Sequence, residues 1–333
     1  MRKYLSIISI AIVAIGGIMI FFIMNGFGQN NTAYSSTNKF TNEIETIEKA
    51  YMTDEGLIRN YPVTSNREFL LESQGFYLEL LLLQQDEKRF RNQVEVLKKF
   101  FIVEKEDNLF IKWKSGVDIS VNAFIDDMRI IHILRQAAVI FEQEYYLTLA
   151  NELTASIKEK QIVNNLIPHY YDWETEHLGT TMFNSYLHNN YMEILDINEH
   201  PSPTKDGLFF AEEQIIANGK PISAKEAHMI DQLLIATYCI GKTCENHQFD
   251  EWIQKQWQDK KIIYGRYDKV SGIPTTKYES IAVYALAVMY FNKKHPSISD
   301  DITQSKSALF NSKPVATTHF FDYILGVIVR NEE

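Results

Sequence analysis

Apolar residues recur at helical spacing along most of this chain, in blocks of about 12 to 20 residues joined by loops. Ile44, Ile47 and Tyr51 fall at i, i+3 and i+7, and Phe90, Val94, Leu97 and Phe101 form the next stripe. A helix predicted from about Asn122 to Glu142 carries Ile130, Ile131, Leu134, Ala138 and Phe141. Tyr146, Leu149, Leu153 and Ile157 continue the series, and Met229, Ile230, Leu233 and Leu234 add another stripe. Two segments, "FLLESQGFYLELLLL" and "YESIAVYALAVMYFNKK", are apolar on nearly every side and read as inner, buried helices. Strand-period alternation is scarce, and only "NLFIKWKSG" reads as a strand-like turn. The pattern predicts an all-α array of helical hairpins. At 333 residues, 45% of them hydrophobic, a closed double ring fits, with a funnel lined by helix ends and loops on one face.

The ends and the charge narrow the setting. Met1-Arg2-Lys3 precedes an uncharged, mostly apolar run from Tyr4 to Met24, whose 21 residues are enough to span a bilayer. A signal-peptide core is usually about 7–15 residues, and no A-x-A cleavage site is evident. A retained signal anchor over residues 1–24 is therefore expected, with a cleaved signal peptide as the alternative. Arg2 and Lys3 would sit in the cytoplasm and the rest outside. Residues 25–40 read as a polar linker and residues 41–333 as the extracellular domain. The net charge of −10, without a long basic run, argues against nucleic acid as a partner. Cys239 and Cys244 would be either a small-loop disulfide, suited to an extracellular site, or two buried thiols. The nine histidines are scattered, and His169 and His177 in "HYYDWETEH" lack metal-ligand spacing, so no metal is expected.

Three groups of carboxylates stand in apolar surroundings. Ser65-x-x-Glu68 is a capping box that predicts a helix start just before "LLESQG", with Glu72 seven residues on. Glu72 sits either on a solvated stripe or among apolar groups, and burial would let it hold a proton near neutral pH. Asp126 and Asp127 are adjacent in "NAFIDDMRII", so they point in different directions on a helix. One would face the funnel while the other meets solvent or pairs with Arg129, and either charge also suits a helix N-terminus. Asp231 in "HMIDQLLIATYC" follows a second capping box, Ser223-x-x-Glu226, and would be paired or functional if buried.

These residues carry a resemblance. "LLESQGFYLELLLLQQDEKRF" resembles the first signature of glycoside hydrolase family 8, roughly S-E-G-Q-G-Y-G-M-L-L-A. Glu72 falls on the general acid of that family and Gln74-Gly75 on its Q-G, with Tyr77 just beyond. "NLFIKWKSGVDISVNAFIDDMRIIHILRQA" is similar to the second signature, in which a tryptophan-bearing turn leads into A-T-D-A-D-x-D-I-A. Trp113 and Asp127 match its tryptophan and second aspartate. "HMIDQLLIA" looks like the Y-D-A-x-R helix and places Asp231 on the aspartate used as general base in part of the family. The likeness runs in order from about residue 40 to 293. Ile125 stands where the first aspartate of the second signature belongs, Leu234 where the arginine after the base is usual, and Ser73 where a glycine is common.

As a divergent branch of family 8, the chain is expected to form an (α/α)6-type barrel and to hydrolyse a β-1,4-linked exopolysaccharide with inversion. The resemblance implies Glu72 as general acid and Asp231 as candidate general base. Asp127 would be a contact to the −1 sugar or an alternative base. Trp113, Tyr77, Gln74, Tyr171 and Trp173 would be substrate contacts, with Tyr170 and Asp172 nearby in "LIPHYYDWETEHLG". No cofactor is expected. The expected partners are the polysaccharide, the membrane through the N-terminal helix, and the machinery of exopolysaccharide synthesis. The competing expectation is a non-catalytic glycan-binding or synthase-accessory protein on a decayed hydrolase scaffold, which Ile125 and Leu234 favour.

Overall fold

The computed structural model describes residues 40–62 and 67–330. The expected span over residues 1–24, its linker up to residue 39, and Ser65 of the first capping box lie outside the described residues. Among the described residues no helix is long and apolar enough to cross a membrane.

Among the described residues twelve α-helices follow one another: α1 Thr41–Tyr51, α2 Leu71–Leu83, α3 Glu87–Phe100, α4 Phe124–Ile140, α5 Glu144–Lys160, α6 Asn189–Ile194, α7 Met229–Cys239, α8 His247–Lys260, α9 Ile281–Lys294, α10 Pro296–Ser305, α11 Ser307–Phe310 and α12 Phe320–Val329. Composition sorts them into two layers. In α2, α7, α9 and α12 nearly every residue is buried, which only a helix enclosed on all sides tolerates. In α1, α3 and α8 only a stripe is buried, such as Phe90, Val94 and Leu97 of α3. The inner helices close on themselves: α12 packs on α2, α2 on α4, α7 on α9 and α9 on α12. Between α4 and α7 the ring is completed by the turn Asn184–Tyr186, which packs on α7, and by α6, whose Tyr191 meets His132 of α4 edge to face. The helical barrel expected from the periodicity is thus formed.

Several boundaries differ from expectation, for one physical reason. Thirteen short strands occur among the described residues, mostly two or three residues long, and such pieces are too short to reveal a period of two. Phe69–Leu70 pairs with Lys114–Ser115, and Glu226–His228 pairs with Arg266–Asp268. These strands occupy the stretches where the capping boxes predicted helical turns. α2 therefore starts at Leu71 and α7 at Met229, and Glu72 and Asp231 lie in first turns rather than seven or eight residues in. Ser223 directs its hydroxyl to Asp206 instead of capping a helix. The two thiols, left open by the sequence, form the disulfide Cys239–Cys244 at the far end of α7.

The closed ring also buries Glu79, two turns along α2 from Glu72 and on the same face. Burial pushes its carboxyl from an ordinary 4.5 to about 8, against the opposing charge of Arg129. An acid with a raised folded-state value stabilises the fold most below its ordinary value and loses that contribution as pH climbs through the folded one. Glu79→Gln should therefore flatten the pH dependence of the melting temperature between about 4.5 and 8, gaining on the parent as pH rises. Thermal melts across that window check this, and parallel curves for the two proteins would contradict it.

Candidate active site

Three inner helices present a buried carboxylate in the first turn: Glu72 is the second residue of α2, and Asp126 and Asp231 are the third residues of α4 and α7. Each start is fixed by a carbonyl from a neighbouring segment. Leu71 N donates to Trp113 O at 2.9 Å, Phe124 N to His169 O at 3.1 Å and Met229 N to Gly265 O at 3.0 Å. The acids thus stand on a rigid wall rather than on loops. Glu72, Asp126 and Asp231 are each only 8% exposed, a sliver of access on an otherwise dry floor.

Their electrostatics differ. Burial, and then the charge of Asp126, push the Glu72 carboxyl well above the ordinary glutamate range; Arg129 pulls the other way, and Asp322 of α12 adds to the rise. A helix N-terminus favours an ionised acid by roughly 0.3–1 kcal/mol, too little to offset full burial. Asp126 makes a buried ion pair with Arg129, Oδ1 to Nη1 at 2.6 Å, while the Arg129 guanidinium lies 4.3 Å above the Phe76 ring. Gly75 makes room for it, since a Cβ there would come within 2.8 Å of Arg129 Cδ. Asp231 Oδ2 is 2.7 Å from His228 Nδ1. Tyr186 ties the group together: burial and the charges of Asp126, Asp231 and Glu72 all raise its hydroxyl. One buried ring thus feels all three acids.

The expected site residues divide. Glu72 and Asp231 reach this cluster, and half-buried Trp113 adjoins it through its bond to the start of α2. Asp127 does not sit where it was expected. One residue round the helix from Asp126, its Oδ2 accepts from Asn122 Nδ2 at 2.7 Å, and Oδ1 has no partner. Asn122 also bonds Gln161 and receives the Tyr171 amide, so Asp127 belongs to a latch that fastens α4 to the segment after α5. Asp126 takes its place in the cluster.

Gln74 and Tyr77 are likewise turned away, because they lie across α2 from Glu72. Gln74 donates to Ile58 O and accepts from Gln93, and the Tyr77 hydroxyl donates to Glu48. Tyr171 and Trp173 are buried against Phe110 in a separate cluster under the hairpin 102–111, with Trp173 stacked on Phe110 at 5.2 Å. Tyr186 and His228 were not singled out in the sequence, whereas the pairing offered there between Arg129 and one of the two aspartates is formed, with Asp126. Arg129 and His228 stand three residues from Asp126 and Asp231, a spacing that the sequence does offer. Tyr186 sits in an irregular segment that gives no such signal.

The comparisons with known proteins bear on this arrangement. No family model matches the chain. YdaJ of Bacillus subtilis (strain 168), whose name proposes a lipoprotein, is 28% identical over 264 residues, 74% of this chain and 71% of YdaJ. The crystal structure of PssZ from Listeria monocytogenes shares 31% identity over 90% of this chain and 96% of PssZ, with a TM-score of 0.78. Endoglucanase Cel10 of Klebsiella pneumoniae, a family 8 glycosyl hydrolase, is 12% identical and shares the fold at a TM-score of 0.59, covering 87% of this chain and 98% of Cel10. With a solved relative at 31% identity spanning nearly its whole described length, the chain belongs to the same family as PssZ, and its fold is a divergent form of the one seen in family 8 glycosyl hydrolases.

Proposed function

We propose that the protein is an inverting glycosidase acting on a β-1,4-linked exopolysaccharide. The carrying observation is the pairing of a buried carboxyl held above the ordinary glutamate range, Glu72, with a second carboxylate held by a histidine, Asp231, both within the field felt by Tyr186. Glycoside hydrolysis asks for this asymmetry. One carboxyl must keep its proton until the leaving oxygen takes it, and the other must be ionised to draw a proton from water. Glu72 would protonate the glycosidic oxygen. Asp231 would activate water on the opposite face of the sugar. Inversion calls for carboxyls about 6.5–9.5 Å apart, leaving room for that water.

Asp126, locked to Arg129, supports a role for which Asp127 was first considered: accepting hydrogen bonds from hydroxyls of the −1 sugar and holding it in a distorted shape. Trp113, at the start of α2 and with Lys114 Nζ 4.7 Å over its ring, would stack on a neighbouring sugar. The uncharged run at the N-terminus and the relationship to YdaJ support attachment to the membrane, with the barrel outside the cell. The Cys239–Cys244 bridge suits such an oxidising compartment. In that setting the enzyme would trim or degrade exopolysaccharide as it leaves the synthesis machinery.

A second reading, a non-catalytic glycan-binding accessory, is favoured by Ile125 and Leu234, which are buried apolar residues where the family signatures carry an aspartate and an arginine. Incubation of the full chain with the purified exopolysaccharide of its source strain separates the two. The glycosidase releases reducing ends, and proton NMR shows the new anomeric centre inverted; the accessory binds the glycan without releasing any. Glu72→Gln should abolish cleavage while leaving fold and glycan binding intact, and full activity in that variant would end the assignment. Asp231→Asn should lose most turnover. Asp126→Asn removes a charge that raises Glu72 and frees Arg129 to lower it, so both effects carry the same sign. General-acid activity is lost as pH rises through the value of the acid. The alkaline limb of kcat in Asp126→Asn should therefore move to lower pH, and an unmoved limb would show that Asp126 does not tune the acid.

A further inference from the structure

His228 sits at the junction of a strand and a helix. It ends the strand Glu226–His228, where it pairs with Arg266, and it caps α7 with an extended backbone. A residue at a helix cap usually turns its side chain onto the first free amides. His228 makes no such bond. Its ring reaches forward instead and places Nδ1 2.7 Å from Asp231 Oδ2. An ionised carboxylate only accepts, so Nδ1 carries the proton in this contact and fixes the tautomer.

The residue is itself braced. Its backbone N donates to Glu212 Oε1 at 2.7 Å, and Gln232 Nε2 donates to the same oxygen at 2.8 Å. Gln232 in turn clasps the Phe210 backbone in both directions, at 2.8 and 3.0 Å. Glu212 is thus committed to two donors, and Lys269, which donates to Phe210 O, stands behind it. Nothing in this second layer is left to rotate freely. The side chains of His228 and Asp231 are 13% and 12% exposed, so the pair lies at the floor of the site and not in the core.

We infer that His228 is the positioning residue of the general base. This rests on the reading of Asp231 as that base. The imidazole N–H occupies Oδ2, fixes the carboxylate rotamer and leaves Oδ1 to the attacking water. In the reaction the water oxygen bonds to the anomeric carbon while its proton passes to Asp231 Oδ1. The bond from that carbon to the leaving oxygen breaks, its electron pair stays on the oxygen, and Glu72 supplies the proton. His228 gives up no proton in this sequence. Its contribution is orientation, and misplacing a reacting group by about 1 Å costs on the order of a hundredfold in rate.

The test uses the full chain and the purified exopolysaccharide of the source strain, with released reducing ends as readout. His228→Ala should lower kcat by about tenfold to a hundredfold and leave KM within about twofold. His228→Asn, whose amide nitrogen stands close to the position of Nδ1, should recover most of the loss. Melting curves matching the parent exclude a folding defect in either variant. A histidine-selective 15N spectrum should show a protonated Nδ1 assigned to His228 that shifts in Asp231→Asn. Undiminished kcat in His228→Ala, or His228→Asn no better than His228→Ala in a folded protein, would overturn the inference. Retained turnover in Asp231→Asn would instead remove the reading of the base and the inference with it. An inactive Asp231→Asn beside an unimpaired His228→Ala would overturn the inference alone.

Discussion

One guanidinium holds the floor of this barrel together. Arg129 pairs with Asp126, lies on the ring of Phe76 and pulls against the burial that raises Glu72 and Glu79. Removing one partner of a buried pair typically costs about 3–5 kcal/mol, because the other charge is left stranded. Here the stranded charge would be surrounded by further acids. The arrangement of α2 against α4 follows from this pairing: Gly75 brings the two helices close enough for the arginine to serve both.

The same pairing sets the carboxyls of the wall apart. Asp126 has a cation and Asp231 has an imidazole, whereas Glu72 has burial and a neighbouring negative charge. The three carboxyls are thus set in different electrostatic surroundings, although burial lifts Asp126 as well, against the pull of Arg129.

The sequence disclosed the architecture better than the site. Periodic apolar stripes marked the helices, since each inner or outer helix shows its surroundings in which faces are greasy. Glu72 and Asp231 stood out as acids in apolar runs. Two adjacent aspartates differ by only about 100° round a helix, so the sequence left open which one meets the cluster, and the structure brings Asp126 there and turns Asp127 to Asn122. The capping boxes misled for a related reason: Ser65-x-x-Glu68 and Ser223-x-x-Glu226 have local helix-start chemistry, yet the pairing of Leu70 with Lys114 and of His228 with Arg266 keeps the residues just before each helix extended. Gln74 and Tyr77 came from the family signature and Tyr171 and Trp173 from an aromatic-rich segment, and only their tertiary directions show that they face away from the cluster. Tyr186 could not be found, since nothing in its own segment indicates which helices it will touch.

The carbonyls that receive the first amides of α2 and α7 come from the loops around Trp113 and Gly265. Such a bond depends on backbone position alone, so it is indifferent to the side chains those loops carry. The three acids go with the wall, and the surfaces around them go with the rim. A lineage on this scaffold is therefore free to change its rim while the placement of the acids stays as it was. Strong sequence divergence beside a well-kept fold is the outcome such a division of labour permits.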